Sequence, residues 1–209
     1  CQDDNPLTGT WTEKGQVKTH LESFSLDATV FEVDEKLYYV WAQKDPAIKG
    51  NSNLYISEME TPWQLKGEVT LLSVPEYDWE NIGFMVNEGA AVIQKNEKVF
   101  ITYSGSATDE NYSMGLLWAD RNSDLLNATN WTKSKEAVFK SSEKNSLFGP
   151  GHNSFTVSED GTKDVLIYHA RPKKVTETEP LDVPDRHANA QEFTWNEQGF
   201  PVFGEPGEI

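Results

Sequence analysis

Apolar and polar residues alternate along most of this chain in short runs that are separated by turn residues. Residues 28–33 and 36–42 flank a turn at Asp34 and Glu35, and their β-branched and aromatic side chains are typical of a β-hairpin. No long stretch shows the 3.6-residue period of an amphipathic helix. The pattern therefore predicts an all-β protein.

The hairpin pattern occurs three times. The second and third hairpins are predicted at 90–94 with 99–104 and at 154–158 with 165–170. A third strand is predicted to follow each hairpin, at 53–58, 114–119 and 187–193. A Trp behind a small or turn residue then precedes a short fourth strand; the Trp residues in this setting are Trp11, Trp63, Trp131 and Trp195. We expect these four Trp residues to pack between repeats.

Four-stranded antiparallel units that recur about every 65 residues indicate the blades of a β-propeller. The chain would then hold three full blades and, at Trp11, the outer part of another. Two packed sheets of a β-sandwich are the alternative, but they do not explain why polar residues recur at one point of each unit. We treat residues 1–209 as a single, incomplete β-propeller domain.

Composition and charge limit the partners. The 209 residues carry a formal net charge of −16, which disfavours binding to nucleic acid or to an anionic membrane surface. The sequence has no run of 18 apolar residues, so no membrane-spanning segment is expected. Cys1 is the single cysteine. It is either the lipid-anchored residue of a bacterial lipoprotein or an interior residue of a longer protein, and the isolated Trp11 element favours the second interpretation.

Polar residues begin the first strand of each predicted blade. When the repeats are aligned on their hairpin turns, Asp27 falls beside Asn153, and Glu88 falls beside His152, one position earlier. Strand starts of a radial array crowd around its axis, so we expect these side chains to share one pocket. Two carboxyl groups brought together there could form an acid/base pair. Each carboxylate also has a structural alternative. Asp27 could be a strand-start residue that binds backbone amides, and Glu88 could be a turn carboxylate.

The same segments resemble a known enzyme family. Ser25-Leu-Asp-Ala-Thr-Val-Phe, Val86-Asn-Glu-Gly-Ala-Ala-Val-Ile and Gly149-Pro-Gly-His-Asn-Ser-Phe-Thr are similar to successive blades of glycoside hydrolase family 43, and especially to its secreted α-L-arabinofuranosidases. The resemblance covers essentially the whole chain. It implies a five-bladed propeller, present here in part, with a central pocket and an inverting mechanism.

The resemblance also implies residue roles. Glu88 would be the general acid that protonates the leaving glycosidic oxygen, and Asp27 would be the third carboxylate, which raises the pKa of that acid. His152 matches a histidine on the propeller axis that is associated with a bound cation or its water shell. A loop histidine that binds backbone carbonyls is the alternative for His152.

One expected residue has no match. The general base of the family, an aspartate of the first blade that activates the attacking water, is absent from this sequence. Asp45-Pro46 is similar to its motif but follows the second strand of a hairpin in another blade. An inverting mechanism requires both carboxyl groups. We therefore expect this chain alone to be inactive or severely impaired.

Further candidates would contact the sugar. Trp79 and Phe84 precede Glu88 and could stack on sugar C–H faces, whereas Trp41 and Tyr103 lie inside strands and are expected in the core. Arg186 follows a polar excursion at 173–185 and could bind sugar hydroxyls. We expect the other candidate arginine, Arg171, at the surface.

The resulting hypothesis is an inverting glycosidase that removes α-L-arabinofuranosyl residues from plant arabinan or arabinoxylan. A β-xylosidase or an endo-arabinanase of the same family, a non-catalytic carbohydrate-binding propeller and a protein-interaction propeller are the alternatives. No cofactor is expected to be required, although Ca²⁺ or another cation could lie on the axis. The resemblance implies a location outside the cell, at the cell surface or in the periplasm.

Overall fold

The computed structural model describes residues 1–175 and 178–208 and contains three antiparallel sheets. Blade 1 comprises β1 (Ser25–Val33), β2 (Lys36–Gln43), β3 (Asn53–Thr61), β4 (Gln64–Leu65) and β5 (Thr70–Ser73). Blade 2 comprises β6 (Asn87–Lys95), β7 (Lys98–Gly105), β8 (Ser113–Asp120) and β9 (Thr132–Lys133). Blade 3 comprises β10 (Phe148–Val157), β11 (Asp164–Arg171), β12 (His187–Trp195) and β13 (Pro201–Val202). The predicted hairpins and their third and fourth strands are confirmed.

Tight turns fix the register of the first two hairpins. Asp34 and Glu35 have φ values of 50° and 66°, and Asn96 and Glu97 have 54° and 58°. Two consecutive residues with positive φ are typical of a type I′ turn, whose twist matches that of the flanking strands. The third hairpin differs, because six residues separate the paired Val157 and Asp164.

The first strands of the blades lie side by side. β1 contacts β6 and β6 contacts β10, so that the three sheets follow one another around a common side. Gln94 of β6 donates from Nε2 to the backbone oxygen of Glu32 in β1, at 2.9 Å. Each blade then extends outward through its second, third and fourth strands. This arrangement is that of part of a β-propeller, as predicted.

Apolar side chains fill the spaces between blades. Trp195 of blade 3 lies on Phe100 of blade 2, with ring centroids 5.6 Å apart. Trp131 is 9% exposed and belongs to the cluster that blades 1 and 2 share. The prediction of inter-blade packing is thus confirmed for these two, whereas Trp63 is 41% and Trp11 is 70% exposed. The expected core positions of Trp41 and Tyr103 are confirmed by exposures of 1% and 0%.

Irregular segments complete the chain. Residues 1–24, all described, form no strand, so the short strand predicted after Trp11 is not present in the structure. The excursion at 173–185 includes residues 176 and 177, which lie outside the described ones. Helical structure in the described residues is confined to three short 3-10 turns, at Asp78–Glu80, Ala128–Asn130 and Pro180–Asp182. None of these helices has the length and apolar character needed to cross a membrane.

Candidate active site

A β-bulge interrupts the first strand of every blade near its start. The Cα register of β1 with β2 shifts between Leu26 and Thr29, and corresponding shifts occur in β6 and β10. Each bulge contains a residue with positive φ: Asp27 (55°), Gly89 (61°) and His152 (46°). Bulges re-aim side chains next to functional sites. The three bulges lie on the neighbouring first strands and form the centre of the candidate site.

The bulges correct the sequence alignment of the repeats. The register makes Asp27, Gly89 and His152 equivalent, so that Glu88 lies one position earlier and Asn153 one position later. The predicted pairing of Asp27 with Asn153, and of Glu88 with His152, is therefore wrong by one residue. The error has a physical cause, because the third hairpin loop is longer than the two-residue turns from which the alignment was counted.

Asp27 links all three blades. Its Oδ2 accepts a hydrogen bond of 3.1 Å from the backbone N–H of Gly89, and its Oδ1 lies 3.8 Å from Nε2 of His152. The Asp27 side chain is 17% exposed, and that of His152 is 49% exposed. Asp27 thus binds a backbone amide, as the structural alternative proposed, but the amide belongs to the next blade. The contact holds Asp27 beside Glu88.

Glu88 is half-buried and accepts a hydrogen bond of 2.8 Å at Oε1 from the hydroxyl of Tyr112. Burial raises the pKa of the Glu88 carboxyl, and the negative charge of Asp27 raises it further. The Tyr112 hydrogen bond and the charges of His152 and Arg186 act in the opposite direction. Among the described carboxylates, only Asp27 contributes to raising this pKa. The pKa of Glu88 is thus raised overall, which is the direction that a general acid requires.

His152 lies at the rim of this cluster. Its backbone N–H donates to Oγ of Ser104 at 2.9 Å, which fixes the bulge of β10 against β7. The described residues contain no group of three or more His, Cys, Asp or Glu side chains arranged as metal ligands. The association of His152 with a cation stays a prediction.

The proposed sugar-contacting residues differ in exposure: one packs into the blade core, and the others are exposed. Trp79 packs against Tyr103, with ring centroids 6.0 Å apart, and donates from its indole to the backbone oxygen of Lys135 at 3.0 Å. It therefore contributes to the blade core. Phe84 is 49% exposed in the loop before β6, and Arg186 is exposed and close enough for its charge to act on Glu88. Of the predicted set, the structure brings Asp27, Glu88, His152 and Arg186 together.

Arg171 is not a surface residue, contrary to the expectation. It is 1% exposed, and its guanidinium donates to the backbone oxygens of Thr108, Val183 and Pro180 and pairs with Asp185. The guanidinium provides several donors in a fixed geometry, which suits the capture of a loop that turns back on the strand. Arg171 thereby holds the segment that leads into Arg186.

The loop that carries Tyr112, a residue that sequence reasoning missed, explains two glycines of the Gly-Pro-Gly-His motif. A Cβ atom on Gly151 would lie 2.5 Å from Cε1 of Tyr112, and one on Gly149 would lie 2.1 Å from the backbone oxygen of Asp109. Gly149 also has a φ of 59°. Small residues are therefore required where β10 passes the loop that carries Tyr112. The glycines were a visible signal, but the loop that requires them, which includes Asp109 and Tyr112, is distant in sequence.

Protonation of Glu88 should be coupled to folding. A carboxyl whose pKa is raised in the folded state contributes stability that is fully present below its unfolded pKa, about 4.3 for Glu, and lost as the pH rises through the folded pKa. Glu88→Gln carries no charge at any pH. Relative to the unmodified chain, it should therefore gain free energy of unfolding between pH 4 and pH 7, as measured by urea denaturation. A difference that is constant over this range would contradict the raised pKa.

Known proteins resemble this chain over almost all its length. The family model of Glycosyl hydrolases family 43 matches residues 1–201. An extracellular exo-α-(1→5)-L-arabinofuranosidase of Streptomyces avermitilis is 53% identical over 202 residues, which are 97% of this chain and 42% of that protein. Alpha-L-arabinofuranosidase 43 of Humicola insolens is 48% identical over 203 residues, with the same two shares. The chain thus spans less than half the length of these relatives.

Solved structures agree with this assignment. The crystal structure of α-L-arabinofuranosidase from Lactobacillus brevis superimposes with a TM-score of 0.95 at 55% identity, over 99% of this chain and 64% of that one. A thermostable family-43 glycoside hydrolase superimposes with a TM-score of 0.70 at 30% identity, over 86% of this chain and 58% of the other. The resemblance predicted from the three motifs is confirmed, and this chain belongs to glycosyl hydrolase family 43.

Proposed function

We propose that this chain is part of an inverting exo-acting α-L-arabinofuranosidase in which Glu88 is the general acid. The observation that carries the proposal is the environment of Glu88: burial and the neighbouring Asp27 raise its pKa at the point where three blades meet. A carboxyl group whose pKa is raised stays protonated to a higher pH, and it can transfer that proton to a glycosidic oxygen. The names of the relatives, all arabinofuranosidases, support the choice of sugar.

The water-activating base is proposed to lie outside these 209 residues. Asp27 is not proposed as this base. Its carboxylate accepts a hydrogen bond from the Gly89 amide beside Glu88, and its charge raises the pKa of Glu88. An inverting glycosidase requires a second carboxyl group about 6.5–9.5 Å from the acid, with space for water between them. The chain alone is therefore proposed to contain the acid and its neighbouring carboxylate but not a complete catalytic set.

Arg186, His152 and Phe84 are proposed to contact the sugar. All three are at least partly exposed, and Arg186 and His152 lie close enough to Glu88 to act on its pKa. Trp79 is proposed to support the pocket loop rather than to contact the sugar, since its indole donates to the backbone oxygen of Lys135. The substrate is proposed to be an arabinose-containing plant polysaccharide or oligosaccharide, encountered outside the cell. No cofactor is proposed to be required, and a cation near His152 would be structural.

The test measures hydrolysis of different glycosides by a longer protein, in which this chain is extended at its N-terminus by a segment of the kind proposed to carry the base. We expect release of arabinose from an aryl α-L-arabinofuranoside and from linear arabinan, with at least tenfold lower kcat/KM on the matching aryl β-D-xylopyranoside. The 209-residue chain, assayed in parallel, should show little or no hydrolysis. Faster xyloside cleavage would favour the β-xylosidase alternative, and internal cleavage of arabinan would favour an endo-arabinanase. Binding without hydrolysis by the longer protein would favour a non-catalytic propeller.

A further inference from the structure

Tyr112 is the buried side chain that contacts the candidate acid. It is 1% exposed and lies just before β8, and its hydroxyl donates to Oε1 of Glu88 at 2.8 Å. Burial and the Glu88 charge raise the pKa of Tyr112 well above its ordinary value. The phenol therefore stays protonated wherever Glu88 titrates, and it remains a hydrogen-bond donor.

The ring of Tyr112 packs against two paired residues of β10 and β11, Gly151 and His169. A methyl group on Gly151 would approach the ring to 2.5 Å. The imidazole of His169 stacks on the phenol with centroids 5.3 Å apart and an angle of 24°. Burial, followed by the charges of Arg186, His152 and Arg171, lowers the pKa of His169 to about 4. A neutral, stacked imidazole and a glycine thus pack closely against the ring, and its hydroxyl lies at Oε1 of Glu88.

This hydrogen bond distinguishes the two oxygens of Glu88. A protonated carboxyl carries one O–H, and an oxygen that accepts a hydrogen bond from a phenol serves as the acceptor. Oε1 receives the Tyr112 hydroxyl, so the proton is placed on Oε2. The other charged groups near this carboxyl, Asp27, His152 and Arg186, act on it from β1, β10 and the segment before β12.

We propose that Tyr112 is a positioning residue that holds Oε1 of Glu88 and leaves Oε2 as the oxygen that delivers the proton to the leaving group. This inference rests on the proposed function. In the reaction, the glycosidic C–O bond breaks and the leaving oxygen takes the proton from Oε2. Water forms the new bond to carbon and gives a proton to the carboxylate base. Glu88 becomes a carboxylate, and the hydrogen bond from Tyr112 strengthens as that charge develops.

The decisive variant is Tyr112→Phe, which removes one oxygen atom. The chain offers a matched control in Tyr103→Phe, because the Tyr103 hydroxyl donates to another buried carboxylate, Glu80 Oε1, at 2.9 Å. Both variants should be assayed in the longer protein on arabinofuranosides whose leaving groups range from dinitrophenol to an alkyl alcohol. Poor leaving groups depend on proton transfer, whereas dinitrophenolate departs without it.

We expect Tyr112→Phe to lower kcat at least tenfold on the alkyl arabinofuranoside and less than threefold on the dinitrophenyl one. The alkaline limb of its kcat/KM profile should move to higher pH. Tyr103→Phe should leave both the leaving-group dependence and the pH profile unchanged. An equal loss on all substrates, or identical behaviour of the two variants, would overturn the positioning role.

A second measurement needs no catalysis and uses the 209-residue chain. The carboxyl carbon of Glu88, labelled with ¹³C and assigned by its loss in Glu88→Gln, reports the titration directly. Removal of the Tyr112 hydroxyl should move its midpoint upward by about one pH unit, because a hydrogen bond to the ionised form is lost. An unchanged midpoint would overturn the contact. The longer protein could hydrolyse no glycoside while Tyr112→Phe still moves the titration midpoint of Glu88. The proposed function would then be wrong, but the hydrogen bond from Tyr112 to Glu88 would be confirmed.

Discussion

Replacement of Glu88 by Gln is expected to lower kcat of the longer protein by about 10²–10⁴-fold on arabinofuranosides with poor leaving groups. Gln has the same shape but no proton to transfer, and the other candidate, Asp27, is held by the Gly89 amide. Affinity for arabino-oligosaccharides should change only a few-fold, because Glu88 acts on the leaving oxygen. Initial rates give kcat, and calorimetric titration with an oligosaccharide gives the affinity.

Glu192→Gln is the control for this experiment. Glu192 is paired with Lys163 on the outer face of blade 3, where its side chain is 57% exposed, and the substitution there should leave kcat unchanged. A Glu88→Gln protein that retains hydrolysis would remove Glu88 from the acid's role. Loss of binding together with loss of hydrolysis would show that Glu88 holds the sugar instead.

The strands of this fold could be predicted from the sequence because they are short, alternating and closed by recognisable turns. Asp34-Glu35 and Asn96-Glu97 set the hairpins, and the structure gives both pairs the positive φ values of a type I′ turn. The third hairpin has a longer loop, and counting back from it displaced the alignment of Asn153 by one residue. Periodicity locates a strand, but loop length decides which residues of two strands are equivalent.

Only the site residues at the starts of strands could be predicted from the sequence. Asp27, Glu88 and His152 lie at such starts, and the structure brings them together. Tyr112 reaches Glu88 from the loop between β7 and β8, 24 residues further along the chain, and no local pattern indicates that approach. Arg171 was misplaced for the same reason: a charged residue at a strand end is buried here by a loop that folds back over it.

Glu80 is a buried carboxylate that holds both the loop before Glu88 and the neighbouring strands of blade 2. Its side chain is fully buried, and its carboxylate accepts hydrogen bonds from the backbone N–H groups of Glu76 and Tyr77, from the Tyr103 hydroxyl and from Nδ2 of Asn87, all at 2.8–2.9 Å. Asn87 immediately precedes Glu88. The charge of Glu80 is compensated by Lys133 of β9, whose Nζ lies 2.8 Å from Oε1 and whose side chain is 10% exposed.

Substitution of Lys133 by Met should therefore lower the free energy of unfolding by about 3–5 kcal/mol, because it leaves a buried carboxylate without its counter-charge. Lys98→Met is the matched control: Lys98 pairs with Asp120 at 2.7 Å, but Asp120 is 74% exposed, and the loss should stay within about 1 kcal/mol. Urea denaturation of the 209-residue chain measures both.

Glu80→Gln in the Lys133→Met background should restore part of the stability, since the buried charge itself is then removed. Equal losses for the two lysine variants would mean that solvent or another cation compensates Glu80, and that the loop before Glu88 is not held by this pair.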